Sequence, residues 1–142
     1  MLRSVVSVLA GLAVLTVASF AIEAMLDPLL LRIFSEALPG QEALSSNPWV
    51  RALTFAYGLV CVAAGGYITA RIAERAPVQH AAAMGIFQAG LTIMAMLSPV
   101  GNHASRLRIT TAILTVPAAV VGGAVYKARK SDERLEKASA SA

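Results

Sequence analysis

Charged side chains are scarce in this sequence. They make up 14% of its 142 residues, against about 25% in an ordinary soluble domain. Apolar residues reach 57%, so the chain has too little polar surface to cover its apolar mass in water. The length suits one domain and not two. Cys61 is the only cysteine, which excludes an intramolecular disulfide. The two histidines have no neighbours at the spacings of a zinc site, so no metal is expected. Aromatic residues are few, at 6%, and no basic stripe interleaves with them. The net charge of +4 therefore does not point to nucleic acid. Catalytic signatures are missing as well: there is no Gly-x-Ser-x-Gly, no His-Glu-x-x-His, no phosphate loop and no pair of carboxylates within an apolar span. Neither an enzyme nor a bound cofactor is expected.

What the sequence has in quantity is long apolar runs. A helix needs ~20 apolar residues to cross a bilayer, and four stretches supply them, at about 5–26, 50–72, 78–97 and 107–126. The bilayer is the natural solvent for such a chain. The first run, preceded by Arg3, also has the outline of a signal peptide, with Ser19-Phe20-Ala21 as a small-x-small cleavage site. We read it as a retained helix, because the apolar stretch is long enough to span.

Asp27-Pro28 is expected to end the first span and start a short amphipathic helix at about 28–38. Asp27 is suited to cap it and Pro28 to occupy its first position. Leu30, Ile33, Phe34, Ala37 and Leu38 recur at helical spacing, with Arg32, Ser35 and Glu36 opposite. Such a helix would lie on the membrane surface or close over the bundle as a lid. Asn47-Pro48-Trp49 is a strong restart, combining a cap, a first-turn proline and an interfacial tryptophan. Pro77 breaks the chain between the second and third spans, and 98–102 reads as a tight turn. Residues 131–142, charged and then Ala/Ser-rich, read as a polar tail in the form of a frayed helix end. The fold class expected is all-α: an integral membrane four-helix bundle with a surface helix in its first loop.

Four spans put both termini on one side. That side carries Arg3, Arg71, Arg75, Lys127, Arg129, Lys130, Arg134 and Lys137. The other carries Arg32, Arg51, Arg106 and Arg108. Basic residues favour the cytoplasm, so both termini are expected there.

Packing residues come next. Helices in lipid gain little from apolar contact and associate by close backbone approach. Cys61-x3-Gly65-x3-Thr69, Ala81-x3-Gly85-x3-Ala89 and Ala119-x3-Gly123 each place small residues on one helix face and read as packing seams. A glycine bed for a flat cofactor is the less favoured reading. Gly65 and Gly85 are expected where the second and third helices nearly touch. Spans two and four also share a faint pattern: a Gly-Gly pair (Gly65-Gly66, Gly122-Gly123), then Ala-Arg, then Glu-Arg.

Three polar positions invite a functional reading. Glu23 is the only carboxylate within a span and lies about 27 Å along it from Val5, close to the outer interface. It is either a proton or cation site or an interfacial anion paired with Arg51, Arg106 or Arg108, and we favour the pairing. Gln88 falls near the middle of span three, where an unsatisfied amide would cost several kcal/mol. Pro117 falls near the middle of span four and frees the carbonyl of Ile113, which Thr115 or Gln88 could satisfy. Together Glu23, Gln88 and Pro117 outline a polar path; helix-to-helix hydrogen bonding is the favoured alternative. His80 lies near Arg71, Glu74 and Arg75 and is expected to join a hairpin network with Arg71 and Glu74.

The stretch GGYITARIAERAPVQHAAAMG, carried by Gly65, Gly66, Tyr67, Ala70, Arg71, Pro77, His80 and Gly85, resembles a hairpin found in small bacterial four-helix inner-membrane proteins, a family with no assigned reaction. The resemblance covers spans two and three only. It implies a bacterial inner membrane and four helices, and no chemistry. The function expected is that of a structural or accessory membrane subunit, alone, as a homo-oligomer or within a larger complex, with the lipid bilayer as constant partner. The alternative is a small channel or transporter with a polar path near Gln88 and Pro117.

Overall fold

The computed structural model describes residues 2–33, 47–97 and 106–140. All four expected spans are helices: α1 (Leu2–Ile33), α2 (Pro48–Ala73), α3 (Pro77–Leu97) and α4 (Arg106–Ala140). Each is long and apolar enough to cross a membrane. A helix satisfies its own backbone polar groups, which hydrocarbon cannot do, so apolar runs of this length have one economical conformation in a bilayer. Large apolar side chains face outward on every helix, among them Val17, Phe20, Val60, Ile86, Met94, Ile113 and Val121, each more than half exposed. On a soluble monomer such contiguous apolar surface would be an aggregation liability; against acyl chains it is the matching surface.

The helix starts follow local chemistry. The Asn47 side-chain oxygen accepts from the Trp49 amide at 2.9 Å, with Pro48 in the first turn, as the Asn-Pro-Trp signal indicates. At the other end of α2 the Glu74 amide closes the last turn on the Ala70 carbonyl at 3.3 Å. The chain then reverses in three residues. Glu74 and Ala76 both take positive φ, 53° and 49°, an arrangement that carries a steric cost for residues with a Cβ. Pro77 contributes to it by disfavouring the right-handed helical region for Ala76.

One expectation is overturned. Asp27-Pro28 does not end the first helix: α1 runs through Pro28 to Ile33, and the separate surface helix at 28–38 is not formed. Proline removes one hydrogen bond from a helix already propagating, and within an apolar segment the remaining backbone groups are still best satisfied by continuing. Residues 34–38 of that expected helix lie outside the described residues. The polar segment that reads as a frayed helix end continues α4 as regular helix through 131–140.

The bundle has a defined order. Helix α2 packs against α1, α3 and α4, and α3 packs against α1, α2 and α4. Among the described residues α1 and α4 make no close backbone approach. The cross-section is a rhombus with α2 and α3 on its short diagonal. Leu15, Cys61, Val62, Met84 and Ala119 form its core, with Val8, Leu12, Ala18, Ile22, Tyr57 and Ala118 around them.

Glycine sets the spacing. A methyl group built on Gly11 would overlap the Thr69 hydroxyl, and one on Gly65 would lie 2.8 Å from the Gly11 carbonyl oxygen. These two residues therefore hold α1 against α2. Methyl groups on Gly66 and Gly122 would overlap the carbonyls of Ala119 and Ala63, which fixes α2 against α4. Gly85 and Gly123 meet Ala119 and Ala81 Cβ atoms at 2.9 and 2.7 Å, which fixes α3 against α4. Neighbouring residues on a helix point about 100° apart. Each Gly-Gly pair thus serves two partners at once: α1 and α4 for Gly65-Gly66, α2 and α3 for Gly122-Gly123. The expectation that Gly65 and Gly85 meet between α2 and α3 is only half right. Gly65 does lie 2.7 Å from the flexible Met84 methyl of α3, but its backbone neighbour is α1, and Gly85 faces α4.

Buried hydroxyls are answered within their own helices. Ser7 bonds the Ser4 carbonyl, Thr69 the Gly65 carbonyl and Thr115 the Thr111 carbonyl, at 2.8–2.9 Å. Among the described residues no buried side-chain nitrogen or oxygen lacks a partner.

Candidate functional site

The polar residues singled out by sequence fall into three separate places. The first is at the end of the bundle where α1 finishes and α2 begins. Tyr57 donates its hydroxyl hydrogen to the Glu23 carboxylate at 3.2 Å, linking α1 to α2. Glu23 itself is exposed at the bundle surface. The ion pair expected with Arg51 is not formed, and the side chains of Arg106 and Arg108 lie outside the described residues. Tyr57 was not anticipated because it is uncharged and lies 34 residues away in sequence; counting charges cannot find a phenol partner.

The second place is an open groove of about 330 Å³ between α3 and α4, lined by Gln88, Leu91, Thr92, Ala95, Met96 and Thr111. Gln88 does open onto space, with two threonines nearby. Pro117 is not part of that lining and is exposed on the outside of α4. The Thr115 hydroxyl goes to the Thr111 carbonyl, not to the Ile113 carbonyl that Pro117 frees. Glu23, Gln88 and Pro117 therefore do not come together as one path. Beneath the Gln88 groove the bundle is closed by a layer in which Thr69, Ala70, Ala81, Met84 and Ala119 have no accessible surface.

The third place is the α2–α3 turn. Glu74 pairs with Arg3 of α1 at 3.0 Å, both side chains more than half exposed. Such a pair contributes ~0–1 kcal/mol and serves mainly to mark the register of α1. The His80 ring donates from Nδ1 to the Ala76 carbonyl at 3.1 Å. That bond requires hydrogen on Nδ1 and supports the turn. Arg71 is exposed, and the expected network of Arg71, Glu74 and His80 resolves into two separate contacts.

Beside this turn lies a feature that sequence reading passed over. The first residues of α4 beyond Tyr126 carry Lys127, Lys130, Ser131 and Arg134 on one face, and these enclose a pocket of about 190 Å³ against Glu74 and Pro77. Tyr126 stands edge-on to Tyr67 of α2, centroids 5.6 Å apart at 88°, and Lys130 Nζ lies 5.7 Å from the centre of the same ring. The signal was present as i, i+3, i+4, i+7 spacing. It was passed over because 131–142 read as a frayed helix end, and its charges were not sorted by face.

The arrangement offers a packed bundle, a carboxylate–phenol pair linking α1 to α2, a largely apolar groove beside Gln88 and a basic pocket. Searched against known proteins, the chain matches no family model, no characterised protein and no solved structure.

Proposed function

We propose that this chain is a non-enzymatic structural or accessory subunit of the bacterial inner membrane. The observation that carries the reading is the closed layer at Thr69, Ala81, Met84 and Ala119. It is held by close glycine contacts between α1 and α2, α2 and α4, and α3 and α4. A scaffold needs a fixed outer surface and no passage, and those contacts provide it. The resemblance of the Gly65–Gly85 stretch to hairpins of small inner-membrane proteins points the same way.

A small channel or transporter is the second reading, favoured by the groove at Gln88, Thr92 and Thr111. Reconstitution into liposomes separates the two. The subunit reading expects proton and cation leak no greater than that of empty liposomes, for the wild type and for Gln88→Leu and Glu23→Gln alike. A leak that Gln88→Leu suppresses without lowering the melting temperature would establish the conduit instead.

We infer that both termini lie in the cytoplasm. The Arg3–Glu74 pair and the pocket at the α2–α3 turn bring Arg3, Lys127, Lys130 and Arg134 to one end of the bundle, and Arg71, Arg75, Arg129 and Lys137 stand nearby in sequence. Such a concentration marks the cytoplasmic side. A reporter active only in the cytoplasm is expected to be active when fused after Ala142 and silent when inserted within 41–46. The reverse pattern would overturn the orientation.

A further inference from the structure

Helix α4 does not stop where its apolar span stops. Fourteen residues follow Tyr126 before the helix ends at Ala140, an overhang of about 21 Å at 1.5 Å per residue. Its charges are sorted by face. At 100° per residue, Lys127, Lys130, Ser131 and Arg134 fall within one sector, while Asp132, Glu133 and Glu136 fall on the far side. The basic sector continues the line of Ala119 and Gly123, the face that α4 turns toward α3, so it overhangs the α2–α3 turn.

The resulting pocket combines three cations, one hydroxyl and one carboxylate. The carboxylate, Glu74, is already engaged by Arg3. Lys127 and Arg134 have no carboxylate within ion-pair distance among the described residues. Ser131 donates its hydroxyl hydrogen to the Lys127 carbonyl at 3.2 Å, which leaves the oxygen as an acceptor. The site has a net positive charge, a volume of about 190 Å³ and a position at the first turn beyond an apolar span. That volume holds on the order of six waters at ~30 Å³ each, enough for a phosphate group that keeps part of its hydration. A second, apolar groove of about 400 Å³ runs between α1 and α3 past His80, but nothing in it selects one lipid over another.

We propose that the pocket formed by Lys127, Lys130, Ser131 and Arg134 against Glu74 and Pro77 binds the phosphate of an anionic lipid headgroup. Arginine grips phosphate through paired N–H donors, and the lysines add point charge. Basic pockets at the ends of membrane helices are suited to such headgroups. The position argues for a lipid as the source: the pocket opens at the adjoining ends of α2 and α3 and beside the part of α4 just past its apolar span, the level at which a spanning bundle meets headgroups. The proposal rests on the bundle lying in a bilayer and is independent of the subunit role, so a leak in the liposome assay would leave it standing.

The test uses the full chain in nanodiscs of phosphatidylcholine containing a trace of spin-labelled phosphatidylglycerol or spin-labelled phosphatidylcholine. The fraction of each label immobilised by the protein gives a selectivity ratio. The wild type is expected to hold phosphatidylglycerol preferentially. A Lys127→Gln/Arg134→Gln double variant should lose roughly fivefold in the ratio per charge removed. Arg71→Gln/Arg129→Gln removes two charges from the same end outside the pocket and should keep most of the preference. Circular dichroism on each variant checks that the helices remain. No preference in the wild type, or equal loss in both double variants, would overturn the pocket and leave only a diffuse surface charge. Inorganic phosphate at millimolar concentration should displace little of the label; complete displacement would identify a site for free phosphate and overturn the lipid assignment.

Discussion

Gly122→Leu is expected to prevent α2 and α4 from packing, with a loss of ~3 kcal/mol or more. Overpacking a close-fitted interior costs ~1–3 kcal/mol where side chains can move aside. Here they cannot, because the first added carbon already overlaps the Ala63 carbonyl and lies 2.9 Å from the Tyr67 amide nitrogen. Both obstacles are backbone of a regular helix, and relief requires the two axes to separate. Separation would also pull apart the Tyr67–Tyr126 ring contact. Gly58 and Gly90 are the controls, since a methyl group on either meets nothing within 4 Å. Glycine inside a helix costs about 0.5–1 kcal/mol relative to alanine, so Gly58→Ala and Gly90→Ala should melt at or slightly above the wild-type temperature in detergent. If Gly122→Leu melts with these controls, α2 and α4 are not in backbone contact.

Gly65→Leu is expected to expose Cys61 to a membrane-permeant maleimide. Cys61 is 3% exposed, in the core beside Leu15, Val62 and Met84, and as the only cysteine it reports without added labels. A side chain at Gly65 meets the Met84 methyl at 2.7 Å, which can swing away, and the Gly11 carbonyl at 2.8 Å, which cannot. The pressure falls on α1, which has no close approach to α4 to hold it. At ~1–3 kcal/mol of overpacking, the open population and hence the labelling rate should rise roughly five- to a hundredfold. Labelling as slow as in the wild type would show that α1 is not seated on Gly65.

The four spans were legible because hydrophobic length is a local property, and a bilayer demands it of every crossing. The small-residue seams were legible too: Cys61, Gly65, Gly66, Gly85 and Gly123 are all buried. Their partners were not. A glycine announces that some backbone comes close without saying which, so Gly85 was assigned to α2 when the residues it meets are on α4. Gly122 was noted as half of a Gly-Gly pair but not as a packing contact, because a single stripe was traced along α4 through Ala119 and Gly123, and Gly122 lies about 100° away, on a second seam. Pro28 was misread for a related reason. Asp-Pro is a boundary signal where water can satisfy a broken turn, and that competitor is missing in an apolar run. Of the candidate polar path, Gln88 lies beside a groove, but only three-dimensional order could show that Pro117 points outward and that Glu23 answers to Tyr57.

The overhang of α4 is also a lever. From Tyr126 to Ala140 the helix contains no proline, so this arm turns with the part of α4 just inside the bundle. A change in tilt of about 10° carries the far end sideways by roughly 4 Å over a ~21 Å arm. Long apolar helices tilt further as the bilayer thins. A bilayer that tilted the whole bundle by that amount would displace the tip sideways with no change in how the helices grip one another.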